Sequence, residues 1–109
     1  MAGKYKNVQS EVRGKIFGSK KEGRRYGELK MLEDAGLIVG LRTQVGYELI
    51  PKQEGERNCT YIADFVYRDA PGELPSTLHV EDTKGFRTKD YIIKRKLMLW
   101  IHKIRIEEL

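Results

Sequence analysis

Cysteine is nearly absent from this chain. Cys59 is the only one, so the sequence offers neither an internal disulfide nor a CxxC zinc site, and the fold must stand on packing. We read Cys59 as a buried structural thiol, since a free cysteine behaves as a small core hydrophobe. Proline and tryptophan are scarce, at three and one residues, and no apolar run reaches the roughly 18 residues that would mark a membrane-spanning helix. The opening stretch MAGKYKNVQSEVRGK also lacks the apolar core of a signal peptide. These absences argue against membrane spanning and secretion and lead us to expect a cytoplasmic protein. With 109 residues, 39% of them hydrophobic, the chain has apolar material for one core and little room for a second domain.

What is abundant is positive charge. Twenty-one Lys and Arg face 16 Asp and Glu, giving a net charge of +5, a balance that favours a polyanionic partner such as nucleic acid. The charge is segregated: residues 1–30 hold nine bases and three acids, residues 31–81 four and nine, and residues 82–109 eight and four. Two basic ends around an acidic middle suggest a held phosphate backbone, with some of the central carboxylates serving another purpose.

Residues 1–18 are polar, basic and punctuated by glycine, so we expect an N-terminal arm ending in a short extended piece, followed by one domain over 19–109. Ser19-Lys-Lys-Glu22 fits the S-x-x-E capping box, Tyr26, Leu29 and Leu32 supply a helical stripe, and Gly36 is a natural stop. Strands are expected at 37–44 and 45–50, with Gly46 as a bend, then at 59–67 and 77–84, separated by the polar loop KQEGERN and the turn DAPGELPS. A second helix opens at Thr88 or Lys89 and runs through Tyr91, Ile92, Leu97 and Trp100, and the tail KIRIEEL alternates as a closing strand around Ile104 and Ile106. The order is α-β-β-β-α-β.

Alternation along 77–84 puts Leu78, Val80, Asp82 and Lys84 on one face and His79, Glu81 and Thr83 on the other. On the preceding strand Ile62, Asp64 and Val66 share a face, which sets a second carboxylate in an apolar row. A buried unpaired carboxylate costs several kcal/mol, so such groups are normally paired or bound to a metal. Pairing of Asp82 with Lys84 is the plain structural alternative. A third acid, Glu22, lies on the helix face of Tyr26 and Leu29, where it serves equally as a cap. Glu81 is expected to be a surface acid. His79 and His102 have no partner at ligand spacing and are assigned no chemistry.

The set Asp64, then Asp82-Thr-Lys84, on adjacent strands after a Glu-bearing helix resembles the PD-(D/E)XK nuclease superfamily, whose α/β core has this αβββαβ order and a mixed sheet flanked by helices. The resemblance is closer to a family of small phage-encoded proteins similar to Holliday junction resolvases. It is carried by Phe17-Gly-Ser-Lys-Lys-Glu-Gly-Arg-Arg-Tyr-Gly-Glu-Leu29, Leu41 to Leu49 with Gln44, Tyr61-Ile-Ala-Asp-Phe-Val-Tyr67, Val80-Glu-Asp-Thr-Lys-Gly85 and Thr88 to Lys96. Gly23 and Gly27 depart from it, where helix formers such as alanine are expected.

The resemblance implies that Glu22, Asp64 and Asp82 hold one or two Mg²⁺ ions, Mn²⁺ being a substitute, with the carbonyl of Thr83 available as a further ligand. Lys84 would orient or help deprotonate the attacking water, and the reaction would be phosphodiester hydrolysis leaving 5′-phosphate ends. Gln44 matches the family's strand glutamine, near the metals or an ordinary strand polar residue. Lys4, Lys6, Arg13, Lys15, Lys20, Lys21, Arg24, Arg25, Lys94 and Lys96 are the expected DNA contacts, with Arg95 beside them. The leading expectation is a resolvase of phage or prophage origin acting on branched double-stranded DNA. The alternatives are the same site cutting other DNA, as in transposon end-cutting or phage DNA degradation, and a non-catalytic DNA-binding protein. The apolar run Leu97 to Ile101, together with the paired cuts that a junction requires, leads us to expect a homodimer.

Overall fold

The computed structural model of the chain describes residues 9–72, 76–84 and 87–109. A hairpin of β1 (Ser10–Val12) and β2 (Lys15–Phe17) precedes α1 (Lys20–Asp34). Three antiparallel strands follow, β3 (Ile38–Ile50), β4 (Cys59–Asp69) and β5 (Leu78–Asp82), and then α2 (Lys89–Leu97), a π-helical turn (Met98–His102) and β6 (Glu107–Glu108). The sheet order is β3-β4-β5-β6, with β6 parallel to β5. The β5-α2-β6 segment is thus a crossover unit attached to an antiparallel meander, and the fold is α/β with a mixed sheet.

Both helices start where their caps dictate. Ser19 Oγ accepts from the Glu22 amide at 3.2 Å, and Thr88 Oγ1 accepts from the Tyr91 amide at 3.1 Å. α1 ends in a Schellman arrangement, with the Leu37 amide donating to the Leu32 carbonyl and the Gly36 amide to the Glu33 carbonyl.

The sheet is covered on both faces. Phe17, Tyr26, Leu29, Ile38, Phe65 and Tyr67 form one cluster under α1 and the hairpin. Leu49, Tyr61, Ala63, Val66, Val80, Met98 and Ile106 form the other, joined by Tyr91 and Leu97 of α2. Neighbours Phe65, Val66 and Tyr67 alternate between the clusters, as a strand buried on both faces requires.

Several expectations need correction. Residues 10–17 are a hairpin, not an arm, and Phe17 is core. The hairpin lies so close to α1 that a Cβ on Gly23 would stand 2.1 Å from Ser10 Oγ, which donates to the Ser19 carbonyl at 2.9 Å. Gly23 is therefore a close-approach residue, which accounts for one of the two departures from helix-forming residues. The strands expected at 37–44 and 45–50 are one strand. Gly46 pairs regularly with Ile62; the irregular points of β3 are Gln44 and Gly40, with φ of 54° and 69°, and breaks of register between Val39 and Arg42 and between Glu48 and Ile50. The closing strand is two residues long and follows Ile106.

Ile62 does not share a face with Asp64: it is exposed, while Asp64 is buried. Tyr61 and Ala63 pack with Val66, so the alternation shifts between Ala63 and Asp64, opposite Gln44 in the register. Cys59 is only partly buried at the edge of its cluster. No helix among the described residues is long and apolar enough to cross a membrane.

Candidate active site

The end of β5 and the middle of β4 bring Asp82 and Asp64 side by side, both buried. Each is held by hydrogen bonds that fix its orientation. Asp64 Oδ2 accepts from the Thr83 amide at 2.8 Å and from Thr83 Oγ1 at 2.9 Å, so this carboxylate takes up the amide left where β5 ends. Asp82 Oδ1 accepts from the Lys84 amide at 2.9 Å, and Oδ2 accepts from the Tyr61 hydroxyl at 2.8 Å. Burial and the negative charge of Asp82 push the Tyr61 hydroxyl far above its ordinary pKa, so it stays a donor.

Lys84 reaches both carboxylates from the open side. Its Nζ is 3.8 Å from Asp64 Oδ1 and 3.8 Å from Asp82 Oδ2, while the side chain remains 61% exposed. Glu22, in the first turn of α1, joins through Gln44, whose Nε2 donates to Glu22 Oε2 at 2.9 Å and lies 3.5 Å from Asp64 Oδ1. Burial and the nearby Asp64 charge raise the Glu22 pKa, the behaviour of acids gathered in one place. All four residues expected to form the site, Glu22, Asp64, Asp82 and Lys84, thus meet at one end of the sheet, and Thr83 is buried between them.

The donor set is entirely oxygen, which suits a hard divalent cation such as Mg²⁺. Asp64 Oδ1 is turned away from Thr83 toward Gln44 and Lys84. Glu22 Oε1 has no hydrogen-bond partner among the described residues, since Gln44 takes Oε2. The amide of Gln44 and the ammonium of Lys84 stand between the carboxylates, and among the described residues no three acidic, histidine or cysteine side chains are grouped closely enough to hold a metal ion as they stand.

A family model described as "Protein of unknown function (DUF1064)" matches residues 2–106. The chain belongs to the DUF1064 family. No curated protein and no solved structure matches it.

In this DUF1064 chain the basic side chains divide, among the described residues, into unpaired and paired. Lys20, Arg24 and Lys96 are exposed on their helices, and Lys94 is half-buried on α2. Lys15 is exposed on β2, 3.4 Å from Thr43 Oγ1. Arg13 pairs with Asp34 at 2.6 Å, and Lys21 donates to the Leu109 carbonyl. Arg95 pairs with Glu108, which Tyr91 also holds. Lys4 and Lys6 lie outside the described residues.

Arg25 is not a free contact, and Glu81 is not a surface acid. Alternation does turn Glu81 to the other face, but α1 covers that face, and Glu81 is 1% exposed. Arg25 Nε donates to Glu81 Oε1 at 2.8 Å, Nη2 donates to Oε2 at 2.6 Å, and the Tyr67 hydroxyl donates to Oε2 as well. The pair straps α1 to β5 one turn after Glu22.

His79 was expected to stand alone. It stacks on Tyr67 and makes hydrogen bonds to Asp69 at 2.9 Å and Glu107 at 2.8 Å. Tyr61 was missed as a site residue. Its sequence signal is that it opens the segment Tyr61-Ile-Ala-Asp-Phe-Val-Tyr67 that carries the resemblance, although strand alternation does not predict that it meets Asp82.

Proposed function

We propose that this protein is an Mg²⁺-dependent endonuclease of the PD-(D/E)XK kind, cutting phosphodiester bonds in branched DNA as junction resolvases do. One observation carries the reading: Asp64 of β4 and Asp82 of β5, both buried and oriented by the backbone, face the exposed ammonium of Lys84, and Glu22 of α1 is joined to Asp64 through Gln44. A purely structural ion pair with Lys84 needs one acid, and a single ammonium leaves the charge of three neighbouring carboxylates only partly neutralised.

Glu22, Asp64 and Asp82 would hold the cation. When bound, it would polarise the scissile phosphate and lower the pKa of a water. The rest of the chemistry belongs to the chain. Thr83 fixes Asp64 with two hydrogen bonds, and Tyr61 and the Lys84 amide fix Asp82. Gln44 holds Glu22 toward Asp64. The Lys84 ammonium orients the attacking water and offsets the charge that grows on the phosphate.

Lys15, Lys20, Arg24, Lys94 and Lys96 would track the DNA backbone. A homodimer would supply the second active site that symmetric junction cutting needs. Met98 fills the core while Trp100 is 75% exposed beside the half-exposed Leu99 and Ile101, which leaves apolar surface for a second copy.

Labelled four-way junction, linear duplex and single-stranded DNA, each incubated with the protein in Mg²⁺ or in EDTA, test the proposal. Junction cutting in Mg²⁺ with loss in EDTA is expected. No cutting of any substrate in Mg²⁺ or Mn²⁺ refutes the nuclease reading, and equal cutting of duplex and junction refutes the resolvase reading alone.

A further inference from the structure

A cleft of about 470 Å³ opens beside the acid cluster, lined by Lys15, Ile16, Phe17 and Gly18 of the hairpin and its exit, Glu22 of α1, and Thr43 and Gln44 of β3. Its size falls in the roughly 300–1,000 Å³ range of ligand-binding clefts. The lining is graded. Ile16 is 68% exposed and offers an aliphatic surface. Thr43 and Gln44 add a hydroxyl and an amide, and Glu22 adds a carboxylate. Lys15 adds an ammonium, its Nζ 3.4 Å from Thr43 Oγ1. A side chain at Gly18 would project toward Glu22, since among the described residues the one atom within 4.0 Å of a Cβ there is Glu22 Oε1.

We infer that this cleft receives one unstacked nucleotide of the DNA strand being cut, base first. The inference rests on the proposed nuclease reading and names a subsite for its substrate. Polarity sets the direction of entry. The lining offers Ile16 as an apolar face and Thr43 and Gln44 as hydrogen-bonding groups, which suits a base, and Lys15 is its one cation among the described residues, which suits the phosphate that follows.

An unstacked base costs a few kcal/mol in a duplex and much less at a strand exchange or a mismatch. A chain that must seat such a base before it can cut discriminates for branched DNA without reading sequence. The hairpin therefore has a role beyond covering Phe17: it builds one wall of the cleft and carries Ile16 and Lys15 to it.

The test uses four-way junctions carrying 2-aminopurine at single positions around the branch point, bound by the full chain in EDTA, with cutting followed separately in Mg²⁺. Fluorescence should rise roughly threefold or more at one position as the base leaves the stack. Gly18→Met, which projects a side chain into the cleft, should abolish that rise, and Ile16→Ala, at an exposed site, should reduce it. Thermal melting identifies a variant that fails to fold, and Ile16→Ala then decides.

Absence of a rise at every position, or a rise unchanged in folded Gly18→Met and in Ile16→Ala, overturns the cleft whether or not the wild-type chain cuts DNA. A rise that both variants diminish supports it even if no strand is cut in Mg²⁺, an outcome that would defeat only the nuclease reading.

Discussion

The strap between α1 and the sheet makes the sharpest prediction. Glu81 is 1% exposed and accepts two hydrogen bonds from the Arg25 guanidinium and one from the Tyr67 hydroxyl, while the Arg25 side chain is 25% exposed and also touches Glu28 at 3.2 Å. Removing one partner of a buried pair costs about 3–5 kcal/mol, because the other is left as an uncompensated charge. The two halves of this pair are not equally exposed. In Glu81→Ala the guanidinium can swing to Glu28 and water, so the loss should fall below that range, at about 2 kcal/mol. In Arg25→Met the carboxylate cannot reach water and keeps only Tyr67, so the full range of about 3–5 kcal/mol is expected. The double variant should lose less than the two single losses added together.

Urea unfolding of the three variants measures this, with the slope required to stay constant. The reasoning fails if Arg25→Met lies within about 1 kcal/mol of the wild type, or if Glu81→Ala proves the more damaging of the two. Because Arg25 lies one turn beyond Glu22, both variants should also slow cutting in proportion to how far α1 loosens.

Three further outcomes are expected. Asp64→Asn and Asp82→Asn should each abolish cleavage of a four-way junction while leaving binding intact or tighter, since each removes an anionic ligand from beside the phosphate; retained cleavage in either, followed by gel, rejects the site. Gly23→Ala should destabilise by about 1–2 kcal/mol although helix propensity alone predicts a gain of nearly 1, because the new Cβ displaces Ser10; a raised melting temperature refutes the close hairpin contact. For His79, burial favours the neutral form, but hydrogen bonds to Glu107 and Asp69 outweigh it and the pKa is raised. The stability it adds is thus complete below its unfolded value near 6.5 and is lost as pH rises through the folded value, so His79→Gln should flatten the pH dependence of unfolding on that alkaline side.

What the sequence made legible follows from how local its causes are. Ser19 and Thr88 set the helix starts through bonds that span three residues, and both positions can be read directly. The site residues were also reachable, because Asp64 and Asp82 are separated by turn signals strong enough to place them on neighbouring strands. The hairpin was not: its two-residue turn is Arg13-Gly14, both with positive φ, where the usual signal is Asn or Asp before Gly. Glu81 was misjudged because alternation gives the face and says nothing about what lies on it. Arg25 answers Glu81 from 56 residues away, a pairing that no spacing rule contains.

The shift of alternation at the Gln44–Asp64 step is the least local feature and yields the last prediction. Gln44 sits at φ 54°, a region that non-glycine residues rarely enter, opposite Asp64 in the β3–β4 ladder. On β3, Leu41 packs in the α1 cluster, while Val45, Tyr47 and Leu49 pack in the α2 cluster, although strict alternation would put all four on one face. The irregular residue lets the strand serve both layers and directs its own amide to Glu22 and Asp64. Backbone conformation and side-chain function can be separated by two substitutions. Gln44→Gly accepts positive φ and removes the amide, so stability should be kept while cutting falls; Gln44→Val carries a β-branched side chain into the left-handed region and should lose about 1–3 kcal/mol as well as activity. Unfolding midpoints that are equal for the two variants would mean that the strand does not turn at Gln44, and the explanation of how Asp64 came to lie with Tyr61 and Asp82 would fall with it.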